Sequence, residues 1–86
     1  MEQRLSLSIL QPMQQAEICR VGAEGSLRRR LDDLGVIEGT RVQCLRVCPL
    51  GDPKLYLLRG TALALRNSDA SRIEVRLIPV CGGVTG

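Results

Sequence analysis

Residues 41–59 read Arg-Val-Gln-Cys-Leu-Arg-Val-Cys-Pro-Leu-Gly-Asp-Pro-Lys-Leu-Tyr-Leu-Leu-Arg. Two apolar-rich runs, 41–48 and 54–59, flank Pro49-Leu50-Gly51-Asp52-Pro53, which is dense in turn-forming residues. That order predicts two strands paired as an antiparallel hairpin. Gly51-Asp52-Pro53 reads first as its turn, because Asp can bond backbone N–H groups and Pro presets φ at the strand entry.

Upstream, Leu5, Leu7 and Ile9 alternate with Ser6 and Ser8, the period of a half-buried strand. Gln11-Pro12-Met13-Gln14 interrupts it, and 16–21 forms a second short strand closed by Gly22. Between Glu24 and Leu34 the period changes: Leu27, Leu31 and Leu34 fall at i, i+4 and i+7, with Arg28, Arg29, Arg30, Asp32 and Asp33 on the other face. This is one amphipathic helix, starting near Glu24 or Ser26 and stopped by Gly35. Downstream, Gly60 breaks the run, 62–66 is a short apolar turn or strand, and 67–69 reads as a loop. Ile73, Val75 and Leu77 alternate with charged residues as the last strand. The result is a mainly β chain: a small antiparallel barrel of about five short strands, with one helix between the second and third. Residues 1–78 make the domain and 79–86 a flexible C-terminal tail. A barrel this small is filled by its own side chains and leaves no room for a ligand.

The composition fits that picture and narrows the chemistry. The 86 residues include fourteen Leu, seven Val, five Ile and five Ala, no His, Phe or Trp, and Tyr56 as the single aromatic. Without His there is no Ser-His-Asp or Cys-His catalysis and no histidine-ligated metal. One aromatic gives no stacking platform for single-stranded nucleic acid. No Gly-rich loop ends in Lys-Ser/Thr, so GTP binding is not expected. The reading is therefore not an enzyme, and no cofactor is assigned. Twelve basic residues against nine acidic ones give +3, too little for strong phosphate binding, and all but Lys54 are Arg. No nucleic-acid partner is expected.

The N-terminal stretch lacks the basic start and long apolar core of a secretory signal. No apolar run reaches the roughly 20 residues that cross a bilayer. The chain thus reads as cytoplasmic, without membrane insertion and with reduced thiols.

Cys44-x-x-x-Cys48 looks like a metal pair, but four residues of extended strand span roughly 13 Å. A single metal ion holds sulfur ligands at about 2.3 Å, so the pair cannot share one unless the strand breaks. Period two instead puts both thiols on one face with Val42, as small apolar fillers. Cys19 reads the same way, and Cys81 as exposed. Arg28-Arg29-Arg30 spans about 200° of a helix surface and so makes no flat basic face. Arg28–Asp32 and Arg29–Asp33 are i,i+4 pairs. A solvated, self-paired face and a protein-docking role both remain open for Arg28 and Arg29. Leu55-Tyr56-Leu57-Leu58 is apolar on both faces. One face fills the barrel; the other either packs under a helix or terminal segment, or meets another protein. Val36-Ile37 carries the same ambiguity, and with Leu50 it could form an exposed apolar patch.

The order of these motifs is itself informative. Arg30-Leu31-x-x-Leu34-Gly35-x-x-x-Gly39-Thr40 is followed by Pro49-x-Gly51-Asp52-Pro53, then Arg59-Gly60, Ala64-Leu65-Arg66, Ala70 and Ile73-x-Val75. Over about residues 5–77 this series resembles the FeoA family of small SH3-like barrels associated with bacterial ferrous iron uptake. Met13 departs from it, standing where the family usually has a turn glycine. The resemblance implies a cytosolic accessory that acts by contact with FeoB, the membrane iron transporter with a GTP-binding domain. An alternative is a stand-alone regulatory domain akin to the C-terminal SH3-like domain of metal-responsive repressors. The candidate contact residues are Val36, Ile37, Leu50, Gly51, Asp52, Pro53, Tyr56, Leu58, Arg28 and Arg29. A weak homo-oligomer is compatible with the sequence. Ferrous iron favours His and carboxylate ligands, so the absence of His points to a chain that assists transport without carrying the ion.

Overall fold

A computed structural model describes residues 4–79. The chain runs β1 (Arg4–Ser6), a 3₁₀ turn (Leu7–Ile9), β2 (Gln15–Val21), α1 (Gly25–Asp33), β3 (Arg41–Val47), β4 (Lys54–Leu58), β5 (Thr61–Leu65), α2 (Asn67–Ala70) and β6 (Ile73–Ile78). The strands form one antiparallel sheet in the order β1-β6-β2-β3-β4-β5. The sheet curls around Ala16, Ile18, Val42, Cys44, Tyr56, Leu58, Leu65, Ile73 and Val75, all buried. The hairpin of 41–59 forms its β3–β4 pair, between β2 and the edge strand β5: Val42 faces Leu58 and Val47 faces Lys54.

The expected strand through Leu5, Leu7 and Ile9 is shorter than its alternation implied. Ser6 Oγ accepts the Ser8 N–H at 3.1 Å and turns the chain into the 3₁₀ segment, which drops Leu7 into the core. That segment closes the curl. Tyr56 Oη on β4 donates to the Leu7 carbonyl at 3.3 Å, and Lys54 Nζ donates to the carbonyls of Ser8 and Leu10. The ambiguous stretch 62–66 lies largely in strand β5 (Thr61–Leu65), and the expected loop 67–69 falls in the short helix α2 (Asn67–Ala70).

Helix α1 ends as Gly35 predicted, and the details decide where Val36 goes. Gly35 takes φ +90°, a conformation open to residues without Cβ. Its N–H donates to the Asp32 carbonyl and that of Val36 to the Leu31 carbonyl, a Schellman ending. The hydrophobic contact of such an ending is supplied by Leu31 and Val36, both in the core cluster. Leu34, expected on the buried face, is 42% exposed.

Two β-bulges interrupt the period. One lies between Cys44 and Arg46, the other between Ile18 and Arg20. Cys44 is buried as expected, whereas Cys48 falls beyond the bulge, after the strand ends, and is half-buried. Cys19 sits at the second bulge and is half-buried too. Except for Pro79, the predicted tail, with Cys81, lies outside the described residues.

Candidate functional site

The hairpin has two ends, and the candidate contact residues divide between them. At one end is the β3–β4 turn. Its Leu50 side chain is 94% exposed, the most exposed large apolar residue of the described chain. The turn under it is anchored: Asp52 Oδ1 accepts the Asn67 backbone N–H at 2.8 Å, and Asn67 Nδ2 donates to the Gly51 carbonyl at 2.9 Å. Gly51 N–H donates to the Cys48 carbonyl at 2.7 Å, and the Asp52–Pro53 peptide is cis. Asp52 therefore has a structural task, holding the turn against the start of α2.

At the other end, the α1 terminus meets the β4–β5 turn. A cleft there is lined by Asp32, Asp33, Leu34, Gly35, Leu58, Arg59 and Thr61. Ile37 follows it in the chain, 40% exposed beside the 42%-exposed Leu34. β4 separates the two ends, a distance of roughly 13 Å between its first and last residues. Leu50 and Ile37 therefore belong to separate surfaces, not to the single apolar patch expected from the sequence.

Three candidates drop out as contact residues. Val36 and Tyr56 are fully buried and Leu58 is 2% exposed. Val36 is held inward by the helix ending, and Tyr56 and Leu58 share the inward parity of β4. Burial pushes the Tyr56 phenol above its ordinary pKa, with Cys44 and Asp52 adding to the shift. Burial likewise raises the Cys44 thiol, while Lys54 opposes it. The outer parity of β4 is Leu55 and Leu57, both half-buried and outside the core cluster.

The basic helix face is partly self-satisfied. Arg28 Nε lies 3.5 Å from Asp32 Oδ1, and Arg28 Nη1 donates to the Val21 carbonyl at 3.0 Å. Arg29 is exposed, and among the described residues no ion pair joins it to Asp33. Nor does any group of three Cys, Asp or Glu side chains converge in a way that could hold a metal, among the described residues.

Lys54 and Asn67 are the residues that sequence reasoning missed. Lys54 had a signal, since it shares the parity of Tyr56 and Leu58. Asn67 had none locally, because its partners lie 15 and 16 residues away.

The architecture and the sequence agree with known proteins. The family model for the FeoA domain matches residues 5–77. The chain belongs to the FeoA family. It is 36% identical over 74 residues to an Fe(2+) transport protein A/Fe(2+) transporter FeoB fusion protein of Porphyromonas gingivalis, covering 86% of this chain and 9% of the length of that relative. Among solved structures, FeoA of Chlorobium tepidum is 39% identical with a TM-score of 0.82, over 87% of this chain and 71% of that one. FeoA of Stenotrophomonas maltophilia, solved with zinc and described as a prokaryotic SH3 domain protein, is 32% identical with a TM-score of 0.69, over 83% of this chain and 88% of that one. The expected mainly β, SH3-like fold is therefore the fold of this FeoA-family chain, with six strands where about five were expected. A likeness of fold alone extends to T. acidophilum IdeR, which is 22% identical with a TM-score of 0.77, over 87% of this chain and 34% of that one. No helix among the described residues is long and apolar enough to cross a membrane.

Proposed function

We propose that this FeoA-family chain is a non-enzymatic accessory of ferrous iron uptake, acting on the cytosolic side by contact with a FeoB-type transporter. The observation that carries the reading is the fusion in Porphyromonas gingivalis, where a segment 36% identical to this chain is part of one polypeptide with a FeoB transporter. Two domains joined in one polypeptide are held at high effective concentration, a natural arrangement for domains that work together.

The docking surface in this reading is the β3–β4 turn, with Leu50 as the apolar anchor and Gly51, Asp52 and Pro53 shaping it. Its support is physical. A lone, fully exposed leucine on a hydrogen-bonded turn contributes nothing to the core, and burial against a partner would remove its whole side chain from water. Ile37, Arg28 and Arg29 form the competing surface at and around α1.

The test is binding of the purified chain to the cytosolic part of FeoB by biolayer interferometry. Leu50→Ser is expected to weaken the complex at least about tenfold, and Ile37→Ser to leave it within about twofold. The reverse ranking moves the surface to the α1 end. No measurable complex with the wild-type chain refutes the transporter reading itself.

A further inference from the structure

The outer face of β3, β4 and β5 carries an apolar strip, and strand register defines it. Gln43 pairs with Leu57 and Leu57 with Ala62. In a second row, Arg46 pairs with Leu55 and Leu55 with Ala64. Residues paired across strands share a face of the sheet. Leu55 and Leu57 are half-buried and outside the core cluster, and Ala62 and Ala64 are exposed beside them.

Three arginines frame this strip. Arg46 stands at one end, within its row. Arg41 shares the parity of Gln43 and stands at the other end, where it lines a cleft of about 190 Å³ together with Arg59. Gln15, Gln43 and Leu57 complete much of that cleft, and Gln43 Nε2 is held by the Met13 carbonyl at 3.4 Å. Arg41, Arg46 and Arg59 are all exposed, and among the described residues none of them forms an ion pair. The register shows why Arg41 is left over. Its neighbour on β2 is Glu17, which lies between Arg41 and Arg76 and is ion-paired with Arg76. Two cations brought to one cleft without an acid repel each other, and a carboxylate from outside would relieve that.

We propose that this face binds an extended acidic segment of another protein, with the pattern acid-x-apolar-x-acid. Alternate residues of an extended chain point to one side, so the pattern presents two carboxylates and one apolar side chain together. Arg46 pairs with Leu55 and Val42 with Leu58, which sets Arg46 and Arg41 four residue steps apart along β4, roughly 13 Å. The two acids of the pattern are the same number of steps apart. One carboxylate enters the cleft between Arg41 and Arg59, and the other meets Arg46. The apolar side chain then falls on the Leu57–Ala62 row, midway between them. Arginine suits this task because its planar fork holds a carboxylate through two hydrogen bonds.

Charge and relief select this occupant. A free phosphate makes no use of the apolar strip. Nucleic acid finds no aromatic to stack on, since Tyr56 is buried on the other side of β4. A membrane requires apolar side chains that reach into it, and here there are only half-buried leucines and alanines. The surface rests on these strands alone and does not depend on the transporter reading.

The experiment is an NMR titration of the isotope-labelled full chain at about 50 mM salt, under reducing conditions. The probe is the capped peptide Ser-Glu-Thr-Val-Thr-Glu-Ser, added to about 5 mM. Saturable shifts are expected at the amides of Arg41, Gln43, Arg46, Leu55 and Leu57, with a Kd below about 1 mM. The same peptide with Gln in place of both Glu is expected to bind at least about fivefold more weakly. Arg41→Gln with Arg46→Gln should weaken the acidic peptide to the same degree, and the spectrum of the free variant checks its fold. Should that variant not fold, the neutral peptide still decides. No saturable binding, shifts centred on another surface, or equal binding of the neutral peptide overturns the proposal. Inorganic phosphate that reproduces the peptide's shifts at the same concentration overturns it in favour of a simple anion site. Sedimentation with vesicles of phosphatidylcholine and phosphatidylserine in equal parts, without a response to the peptide, overturns it in favour of a membrane.

Discussion

Lys54 Nζ on β4 donates to the carbonyl of Leu10 at 3.3 Å, joining residues 44 apart in the chain, and donates again to the carbonyl of Ser8. Lys54 is 8% exposed and is the single lysine in the sequence. Its ammonium serves as a tie between the β3–β4 hairpin and the 3₁₀ segment, with backbone carbonyls in place of a carboxylate. Lys54→Met keeps the apolar stem and leaves the carbonyls without a donor. It is expected to cost about 1–3 kcal/mol, read from urea unfolding. A loss under about 0.5 kcal/mol would show that water replaces the ammonium freely.

Tyr56 predicts the alkaline behaviour. Its proton is held more tightly in the folded chain than in the unfolded one, because burial disfavours the phenolate and Cys44 and Asp52 add to that. The stabilisation is complete below the ordinary phenol pKa of 10.0 and is lost as pH rises above it, at about 1.4 kcal/mol per pH unit. Cys44 acts in the same direction from 9.0 upward. With no Trp and one Tyr, the tyrosinate absorbance is a clean reporter. It should rise only together with unfolding, and Tyr56→Phe should make the alkaline loss of stability shallower. Tyrosinate formed in a chain that still shows folded circular dichroism would contradict this.

Met13 lies in the left-handed region at φ +73° and is 64% exposed. Its N–H donates to the Cys44 carbonyl at 2.6 Å, which fixes the turn against β3. A side chain there is strained and buries little, so Met13→Gly is expected to raise stability by about 0.5–1 kcal/mol. Thermal unfolding checks it; a lower melting temperature would mean that glycine's extra freedom in the unfolded chain outweighs the relief.

Asp52 and Leu50 should separate folding from docking. Asp52→Asn keeps a side-chain oxygen for the Asn67 N–H and is expected to stay within about 0.5 kcal/mol of wild type, whereas Asp52→Ala should lose about 1 kcal/mol. Leu50→Ser, at a fully exposed position, should leave stability within about 0.5 kcal/mol. Chemical denaturation of the three variants reads these differences directly. Loss of stability in Leu50→Ser would give that side chain a packing role.

Period and turn chemistry carried the hairpin, α1 and β6, because those stretches have one face in the core and clear stops. They failed where local hydrogen bonds outcompete the pattern. Ser6 captures the Ser8 N–H and ends β1 early, despite the alternation through Ile9. The bulge after Cys44 removes Cys48 from the face it would share with Val42. The contact surface was the least legible part. Val36 and Ile37 are adjacent and equally apolar, yet the helix ending buries the first and leaves the second 40% exposed. Nothing in residues 36–53 alone reveals that Ile37 and Leu50 lie at opposite ends of β4; only the register of the hairpin does.

The anchoring of the β3–β4 turn by Asn67 bears on how Leu50 meets anything in solution. Gly51 and Asp52 are already hydrogen-bonded, and Pro49 and Pro53 restrict the backbone on either side. A partner that covers Leu50 need not order a loop first, so little conformational entropy is surrendered at the encounter. The anchored turn thus makes a single leucine a pre-organised knob, whose affinity would depend on the fit of one socket more than on the extent of the contact.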